Sequence, residues 1–188
     1  MLVSLFDVQA HWGWTEISGT HSERYGKSWN IEELRGKRKD GTSFKELSAD
    51  EKYLLAYTCA GVRMPLMTFM TGIQVFDLVQ LDRSTLGRLW VPPNVWRDSL
   101  GTWYQFSRYV RTPTEEENDA RSVIIDPENY QPAQEPIIVG RAFDWPVMID
   151  GYHRATLFWK FAPNNSMIPA YFPKGVELSD TDYSDATM

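Results

Sequence analysis

The C-terminal third of the chain has the clearest pattern of apolar and polar positions. Residues 136–143 are mostly apolar and predict a buried strand. A turn at 144–146 and a second strand at 147–149 follow. Apolar side chains recur at helical spacing over 152–161, and 167–172 predict another short strand. The predicted order is strand, hairpin, strand, tight turn, helix, strand.

The N-terminal two-thirds of the chain have a less regular pattern. Residues 1–47 are polar and interrupted by five glycines, which predicts an irregular segment with short elements. The sequence Ser48–Glu51 fits a capping box that opens a helix, and this helix should stop near Gly61. Residues 66–81 fit a strand or a helix, and 95–111 predict one helix or two short ones.

Length and composition predict one globular domain. The chain has 188 residues, of which 43% are hydrophobic and 23% charged, enough for a real core. Cys59 is the single cysteine, which excludes an internal disulfide and a cysteine metal cluster and suits a reducing cytosol. The sequence has no apolar run of about 18 residues, so we expect a cytoplasmic protein without a membrane span.

The net charge of −6 is unevenly distributed. Four acidic residues fall within 115–119 and four more within the C-terminal tail, 176–188. Without these eight, the chain has 17 acidic and 19 basic residues, so its body is close to neutral. The acidic balance therefore does not exclude a nucleic-acid surface. Candidate DNA contacts are Arg108, Arg111, Arg141, Lys160 and the basic run 35–39, although that run also fits a solvated loop.

The tight turn before the last helix has the residues of an anion site. Asp150 can cap the helix, and Gly151 permits a sharp entry and close approach of a ligand. The first-turn amides and the positive end of the helix dipole attract anions. His153 and Arg154 add donors suited to phosphate oxygens. A purely structural role is the alternative, in which Asp150 caps the helix and Arg154 pairs with a surface acid.

The same region resembles the ParB N-terminal/sulfiredoxin superfamily. The likeness lies in Pro136–Val139, Met148–Arg154 and Ile168–Phe172, within a core of residues 134–173. The resemblance implies an α+β fold, a mixed sheet with helices, in a single domain spanning 1–175. That domain would carry an aromatic-rich N-terminal helical extension. Residues 176–188, rich in acidic side chains, are expected to form a flexible tail after it. A narrower likeness is to plasmid fertility-inhibition proteins with oncogenic suppressive activity.

The resemblance implies nucleotide chemistry at this turn. Family members bind ATP or CTP with the triphosphate on the helix N-terminus, often with Mg²⁺. Carried over by position, Asp150 would orient the turn or approach the metal, and Arg141 lies on the neighbouring hairpin. Glu135 directly precedes the first core strand and is a candidate for positioning water. The predicted phosphate-binding residues are Asp150, Gly151, Tyr152, His153, Arg154 and Arg141; the predicted catalytic residues are Glu135, His153 and Arg154.

Two departures from the family pattern narrow the function. Tyr152 stands where sulfiredoxins have a cysteine, and Cys59 lies far upstream, which argues against sulfinic-acid reduction. Only 34 residues follow Arg154, too few for the DNA-binding and dimerisation domains of centromere-binding ParB proteins.

Three functions remain open on the sequence. The first is an ATPase with DNase activity that acts on plasmid or transfer DNA and inhibits conjugation and T-DNA transfer. The second is a non-catalytic nucleotide-sensing module that blocks a conjugative or type IV secretion partner. The third is a small-molecule kinase, which would transfer phosphate to an acceptor such as serine.

Overall fold

A computed structural model describes residues 1–18, 22–26, 28–92, 103–109 and 135–178. The fold mixes helices with a sheet of parallel and antiparallel strands, which confirms the α+β prediction. The chain divides into two compact units. One is Leu2–Phe76, and the other is Asp77–Met188 together with Met1. The predicted single domain of residues 1–175 and the predicted tail from 176 stay predictions.

The unit Leu2–Phe76 is mainly helical. Short 3-10 turns occur at Ser22–Tyr25, Phe44–Glu46 and Thr68–Met70. The longer elements are β1 (Leu2–Ser4), α1 (Leu5–Glu16), α2 (Trp29–Lys39), α3 (Ala49–Val62) and α4 (Met64–Met67).

The prediction of an irregular segment over residues 1–47 was wrong, because α1 and α2 are regular helices. Gly13 lies inside α1, where a Cβ atom would come within 2.8 Å of the Leu55 carbonyl oxygen. This glycine therefore permits close packing of α1 on α3 and does not break the helix. The basic run 35–39 lies in α2 and not in a loop, and Arg35 donates 2.8 Å to the Ile17 carbonyl.

The predicted capping box of α3 is confirmed. Ser48 Oγ accepts from the Glu51 amide at 3.3 Å, and Glu51 Oε2 accepts from the Ser48 amide at 2.8 Å. The helix ends at Val62, close to the predicted stop at Gly61. Lys37 Nζ lies 2.5 Å from Glu51 Oε1 and thereby ties α2 to the start of α3.

A buried ion pair closes the C-terminal end of α3. Arg63 makes two hydrogen bonds to the carboxylate of Glu16, whose Oε2 also accepts from the Tyr25 hydroxyl at 2.7 Å. The side chains of Arg63 and Glu16 are only 12% and 9% exposed. Because both charges are paired and desolvated, losing either partner would leave an uncompensated buried charge.

The second unit is built on a sheet. Its strands are β2 (Val75–Leu81, which begins two residues before the unit), β3 (Trp90–Val91), β4 (Tyr104–Gln105), β5 (Ile137–Ala142), β6 (Trp145–Asp150) and β7 (Ile168–Pro173); its helices are α5 (Arg83–Gly87), α6 (Phe106–Tyr109) and α7 (Tyr152–Phe161). The strands are ordered β2-β7-β5-β6-β3-β4, in which β5 is antiparallel to β6 and parallel to β7.

The predicted C-terminal series of elements is confirmed. Two strands, a helix and a third strand follow one another as β5, β6, α7 and β7. The hairpin turn lies at Phe143 and Asp144, one residue earlier than predicted, because Ala142 pairs directly with Trp145. Phe143 has a φ of 55°, a backbone conformation that a residue with a bulky side chain adopts rarely. The ambiguous stretch 66–81 resolves into α4, a 3-10 turn and β2.

Helix α7 packs on one face of the sheet. Ile137, Val139 and Met148 from β5 and β6 form a buried cluster with Ala155 and Phe158 from α7. These five side chains are at most 2% exposed. Since the packing fixes α7 against both strands, it also fixes the turn that joins β6 to α7.

Three sequence predictions fall partly or wholly outside the described residues. The helix predicted over 95–111 is described only from residue 103, as β4 and the short α6. The acidic run 115–119 and the tail beyond residue 178 lie outside the described residues. No described helix has the length and hydropathy needed to cross a bilayer.

The stability that the Glu51 carboxylate contributes should depend on pH. The hydrogen bond from Lys37, followed by the bond from the Ser48 amide, lowers the pKa of Glu51 below its ordinary 4.5. A carboxyl with a lowered folded-state pKa stabilises the fold above its unfolded pKa, and this contribution is lost as pH falls through the folded value. We expect Glu51→Gln to lower the free energy of unfolding at pH 6 by about 0.5–1 kcal/mol, because solvent screens this partly exposed charge.

The measurement is urea unfolding of both proteins at pH 6, 4 and 3. The difference between wild type and Glu51→Gln should shrink towards pH 3. A difference that stays constant across this range would contradict the role of the charged carboxylate.

Candidate functional site

The turn between β6 and α7 is shaped by a glycine. Strand β6 ends at Asp150 and α7 begins at Tyr152, with Gly151 as the N-cap at a φ of 92°. A Cβ atom on Gly151 would lie 2.5 Å from Cγ2 of Ile137, in the first residue of β5. Glycine is therefore required twice, for its positive φ and for its close packing on β5. The conformation also explains how the chain enters the helix directly from a strand.

Arg154 joins the turn to the segment that leads into β5. Its Nη1 donates to the carbonyls of Glu135 at 2.8 Å and Pro136 at 3.1 Å, and its Nη2 donates to Asp150 Oδ2 at 2.9 Å. The planar guanidinium suits this arrangement because it presents several donors in a fixed fork. We call this set of contacts the Arg154 clamp. It holds the first turn of α7 against the start of β5.

The predicted capping role of Asp150 was wrong. The N-cap position belongs to Gly151, which has no side chain with which to cap the helix. Asp150 instead forms an i,i+4 ion pair with Arg154, with the two side chains 20% and 27% exposed. The sequence also allowed a purely structural role, in which Arg154 pairs with a surface acid. Arg154 does pair with an acid, but this acid is Asp150 of the same turn.

The start of α7 has the backbone features of an anion site. The first amides of a helix have no partner within the helix, and Gly151 offers them no side-chain acceptor. The helix has ten residues, so its positive dipole end lies at the same amides. An anion placed here would meet backbone donors together with the guanidinium of Arg154.

The side chain of Tyr152 points away from this turn. Tyr152 is 8% exposed, belongs to the cluster under α7 and donates its hydroxyl hydrogen bond to the Met148 carbonyl. Its predicted phosphate contact is thus limited to its backbone amide. His153 is half-buried on the same first turn, next to Arg154 in sequence.

Glu135 and Arg141 lie at different distances from the turn. The backbone carbonyl of Glu135 belongs to the Arg154 clamp, so the structure places this residue at the site. Arg141 is exposed and pairs with Pro146 near the hairpin, whereas Asp150 pairs with Ile138. Three residues of strand separate the two pairs, or roughly 10 Å. Arg141 therefore does not lie at the turn with the other predicted site residues.

The described side chains at the turn are poorly suited to bind a metal ion. Mg²⁺ is held in proteins by one or two carboxylates together with phosphate oxygens. The Asp150 carboxylate is already paired with the Arg154 guanidinium, whose positive charge opposes a cation at the same oxygens. No group of three or more His, Cys, Asp or Glu side chains suited to a metal occurs among the residues that the structure describes. We therefore derive no chemical step through a metal.

The predicted DNA contacts belong to both compact units. Lys160 is exposed on α7. Within the basic run 35–39, Arg35 is held by Glu32 and by backbone carbonyls, and Lys37 by Glu33 and Glu51. The side chain of Arg108 and the whole of Arg111 lie outside the described residues.

Sequence reasoning missed two members of the site. The Pro136 carbonyl accepts from Arg154, and Ile137 packs against Gly151. Neither residue has a side chain that signals a polar site. The sequence could have indicated them through the hairpin of β5 and β6. Because these strands are antiparallel neighbours, the start of β5 must lie beside the end of β6, where the Gly-x-His-Arg turn begins.

Comparison of the chain with protein families, with curated proteins and with solved structures gives no match.

The geometry of Gly151 makes a stability prediction with a matched control. Gly151→Ala should destabilise the fold by about 2–5 kcal/mol, from the strain of a positive φ and the overlap with Ile137. Gly175 has a similar φ of 81° with nothing within 4 Å of an added Cβ, so Gly175→Ala should cost only about 1–2 kcal/mol. Urea unfolding of both variants gives the difference, and equal losses would contradict the close packing of Gly151 on β5.

Proposed function

We propose that the turn from Asp150 to Arg154 binds the phosphates of a nucleoside triphosphate. The observation that carries the proposal is the start of α7, where the N-cap is a glycine without a capping side chain and the Arg154 guanidinium lies close by. Phosphate groups prefer such a helix end because backbone donors and the dipole act together. The resemblance to the ParB N-terminal/sulfiredoxin superfamily supports the same interpretation and favours ATP or CTP.

We further propose that the bound nucleotide is ATP and that the protein hydrolyses it. Arg154 and His153 would stabilise charge on the phosphate oxygens as it develops, and the Glu135 carboxylate would orient the attacking water. The proposed biological role is inhibition of plasmid conjugation and T-DNA transfer, with DNase activity on the transferred DNA. Support for this role comes from the narrower likeness to plasmid fertility-inhibition proteins.

The second candidate is a nucleotide-sensing module without catalysis. One specific observation favours it: the Arg154 guanidinium is already engaged with the Glu135 and Pro136 carbonyls and the Asp150 carboxylate. A nucleotide that recruits this guanidinium would loosen its hold on Glu135 and Asp150. Binding would then change the segment before β5, and this change would be transmitted to a transfer or secretion partner.

The two candidates are separated by turnover. Purified wild type would be incubated with labelled ATP and, separately, with supercoiled plasmid, each with Mg²⁺. The enzyme proposal predicts phosphate release and plasmid nicking that fall at least about tenfold in His153→Ala, because this variant removes a proposed phosphate donor. Activity that persists unchanged in His153→Ala would point to a contaminant. Nucleotide binding without turnover would favour the sensing module.

The charge of Asp150 provides a test of phosphate binding itself. Asp150→Asn keeps an oxygen acceptor for Arg154 but removes a negative charge close to the proposed phosphates. We expect ATP to bind this variant several-fold more tightly in EDTA, since a like charge about 4 Å away costs roughly 1 kcal/mol even with the full screening of bulk water. Isothermal titration calorimetry measures the change, and Lys160→Met is a control on the same helix that should alter the affinity little.

An affinity that is unchanged or weaker in Asp150→Asn, with the fold intact by circular dichroism, would contradict a phosphate site at this turn. The same measurement with inorganic triphosphate shows whether the phosphates alone are sufficient.

A further inference from the structure

The turn of the β5–β6 hairpin holds an aromatic side chain where glycine is normally required. Ala142 pairs directly with Trp145, which leaves a turn of two residues. Among the described residues other than glycine, only Phe143, the first residue of this turn, has a positive φ, at 55°. A two-residue hairpin turn with a positive φ at its first position alone normally has glycine there, as in a type II′ turn. Strained residues of this kind are concentrated at binding and active sites, so the Phe143 side chain requires an explanation.

The Phe143 ring is presented to solvent on an ordered support. Phe143 is 78% exposed, and its ring packs against Trp145 with centroids 6.0 Å apart and an angle of 65°. Trp145 in turn stacks on the buried Trp90, with centroids 4.8 Å apart and an angle of 20°. This series of rings, carried by β6 and β3, supports Phe143 from one side and leaves most of its surface uncovered.

The exposed residues beside Phe143 are charged and not apolar. Arg141 and Asp144 are both exposed, and no ion pair to either side chain occurs among the residues that the structure describes. The core of a protein interface is depleted of charged side chains, and a stable interface buries about 800 Å² on each partner. One ring of roughly 200 Å² between two charges does not fit that description. The negative charge of Asp144 also opposes insertion of the turn into an anionic membrane surface.

The same three side chains match the parts of an unpaired nucleotide. A base can stack on a single aromatic ring, because every base has a π-face and no apolar surround is needed. Arg141 supplies a positive charge and several donors for phosphate oxygens. The Asp144 carboxylate can accept a hydrogen bond from an exocyclic amino group, such as that of cytosine. In a duplex the base faces and these amino groups are already engaged, so the complementary ligand is a single strand.

We propose that the turn of the β5–β6 hairpin binds single-stranded DNA, with an unpaired base stacked on Phe143 and a phosphate held by Arg141. Four residues of strand separate Ala142 from Ile138, the partner of Asp150, or roughly 13 Å. The hairpin turn is therefore distinct from the phosphate site proposed at the start of α7. This inference does not depend on nucleotide binding or hydrolysis there.

The test is fluorescence anisotropy of a labelled oligonucleotide of about 12 deoxycytidines, the size of one single-strand binding site, titrated with the full chain. The titration is made in EDTA, without ATP and at low salt. Wild type should bind with a dissociation constant below about 100 µM. Phe143→Leu keeps the apolar bulk and the positive φ but removes the ring, so it should weaken binding at least about fivefold, whereas Phe143→Trp should retain it.

Two further variants make the test specific. Tyr57→Leu is the matched control, because Tyr57 is 73% exposed but lies in the other compact unit, and its affinity should equal that of wild type. Arg141→Gln should reduce the slope of log affinity against log salt by about 0.7, the contribution of one phosphate contact to a single strand. Circular dichroism should show an unchanged fold in all variants, because the replaced side chains are exposed.

No binding by wild type at about 100 µM protein would overturn the proposal. So would an undiminished affinity in Phe143→Leu, an equal loss in Tyr57→Leu or an unchanged salt slope in Arg141→Gln. Equal affinity for the same sequence in a duplex, or displacement of the oligonucleotide by an equimolar amount of deoxycytidine monophosphate, would likewise exclude a site for an unpaired base within a strand. Tighter binding of the matching RNA would assign the hairpin to RNA and overturn it as well.

Discussion

The Arg154 clamp is the contact on which the geometry of the site depends. A single guanidinium spans the Glu135 and Pro136 carbonyls before β5 and the Asp150 carboxylate at the end of β6. Because these contacts are only partly buried, each of the three hydrogen bonds contributes about 1 kcal/mol or less to stability. The close packing of Gly151 on Ile137 sets the distance between the turn and the start of β5, which Arg154 spans. Together they fix the direction in which the first amides of α7 point.

The Arg154 clamp and the proposed anion site use the same guanidinium, so a bound anion would compete with the protein acceptors of Arg154. A phosphate near the start of α7 competes with Asp150 for Arg154, and the outcome depends on the charge of the ligand. A triphosphate carries more negative charge than one carboxylate, and its oxygens can also accept hydrogen bonds from the backbone amides at the start of α7. Binding is therefore expected to rearrange the Arg154 clamp, whether or not hydrolysis follows.

The sequence predicted local structure well where each segment had one consistent signal. The apolar run of β5, the capping box of α3 and the helical spacing of α7 each gave the observed element. It failed where one residue type has two physical uses. Gly13 fits a helix break as well as a close helix contact, and only the position of Leu55 decides between them. Asp150 fits a cap as well as an ion pair, and the αL conformation of Gly151 decides that case.

The most direct test of the account is an NMR titration of the isotopically labelled protein with ATP in EDTA. The account predicts that the amide resonances of Tyr152, His153 and Arg154 shift most, together with those of Glu135 and Ile137, as the Arg154 clamp rearranges. Shifts that saturate elsewhere in the chain, or none at millimolar ATP, would contradict phosphate binding at the start of α7.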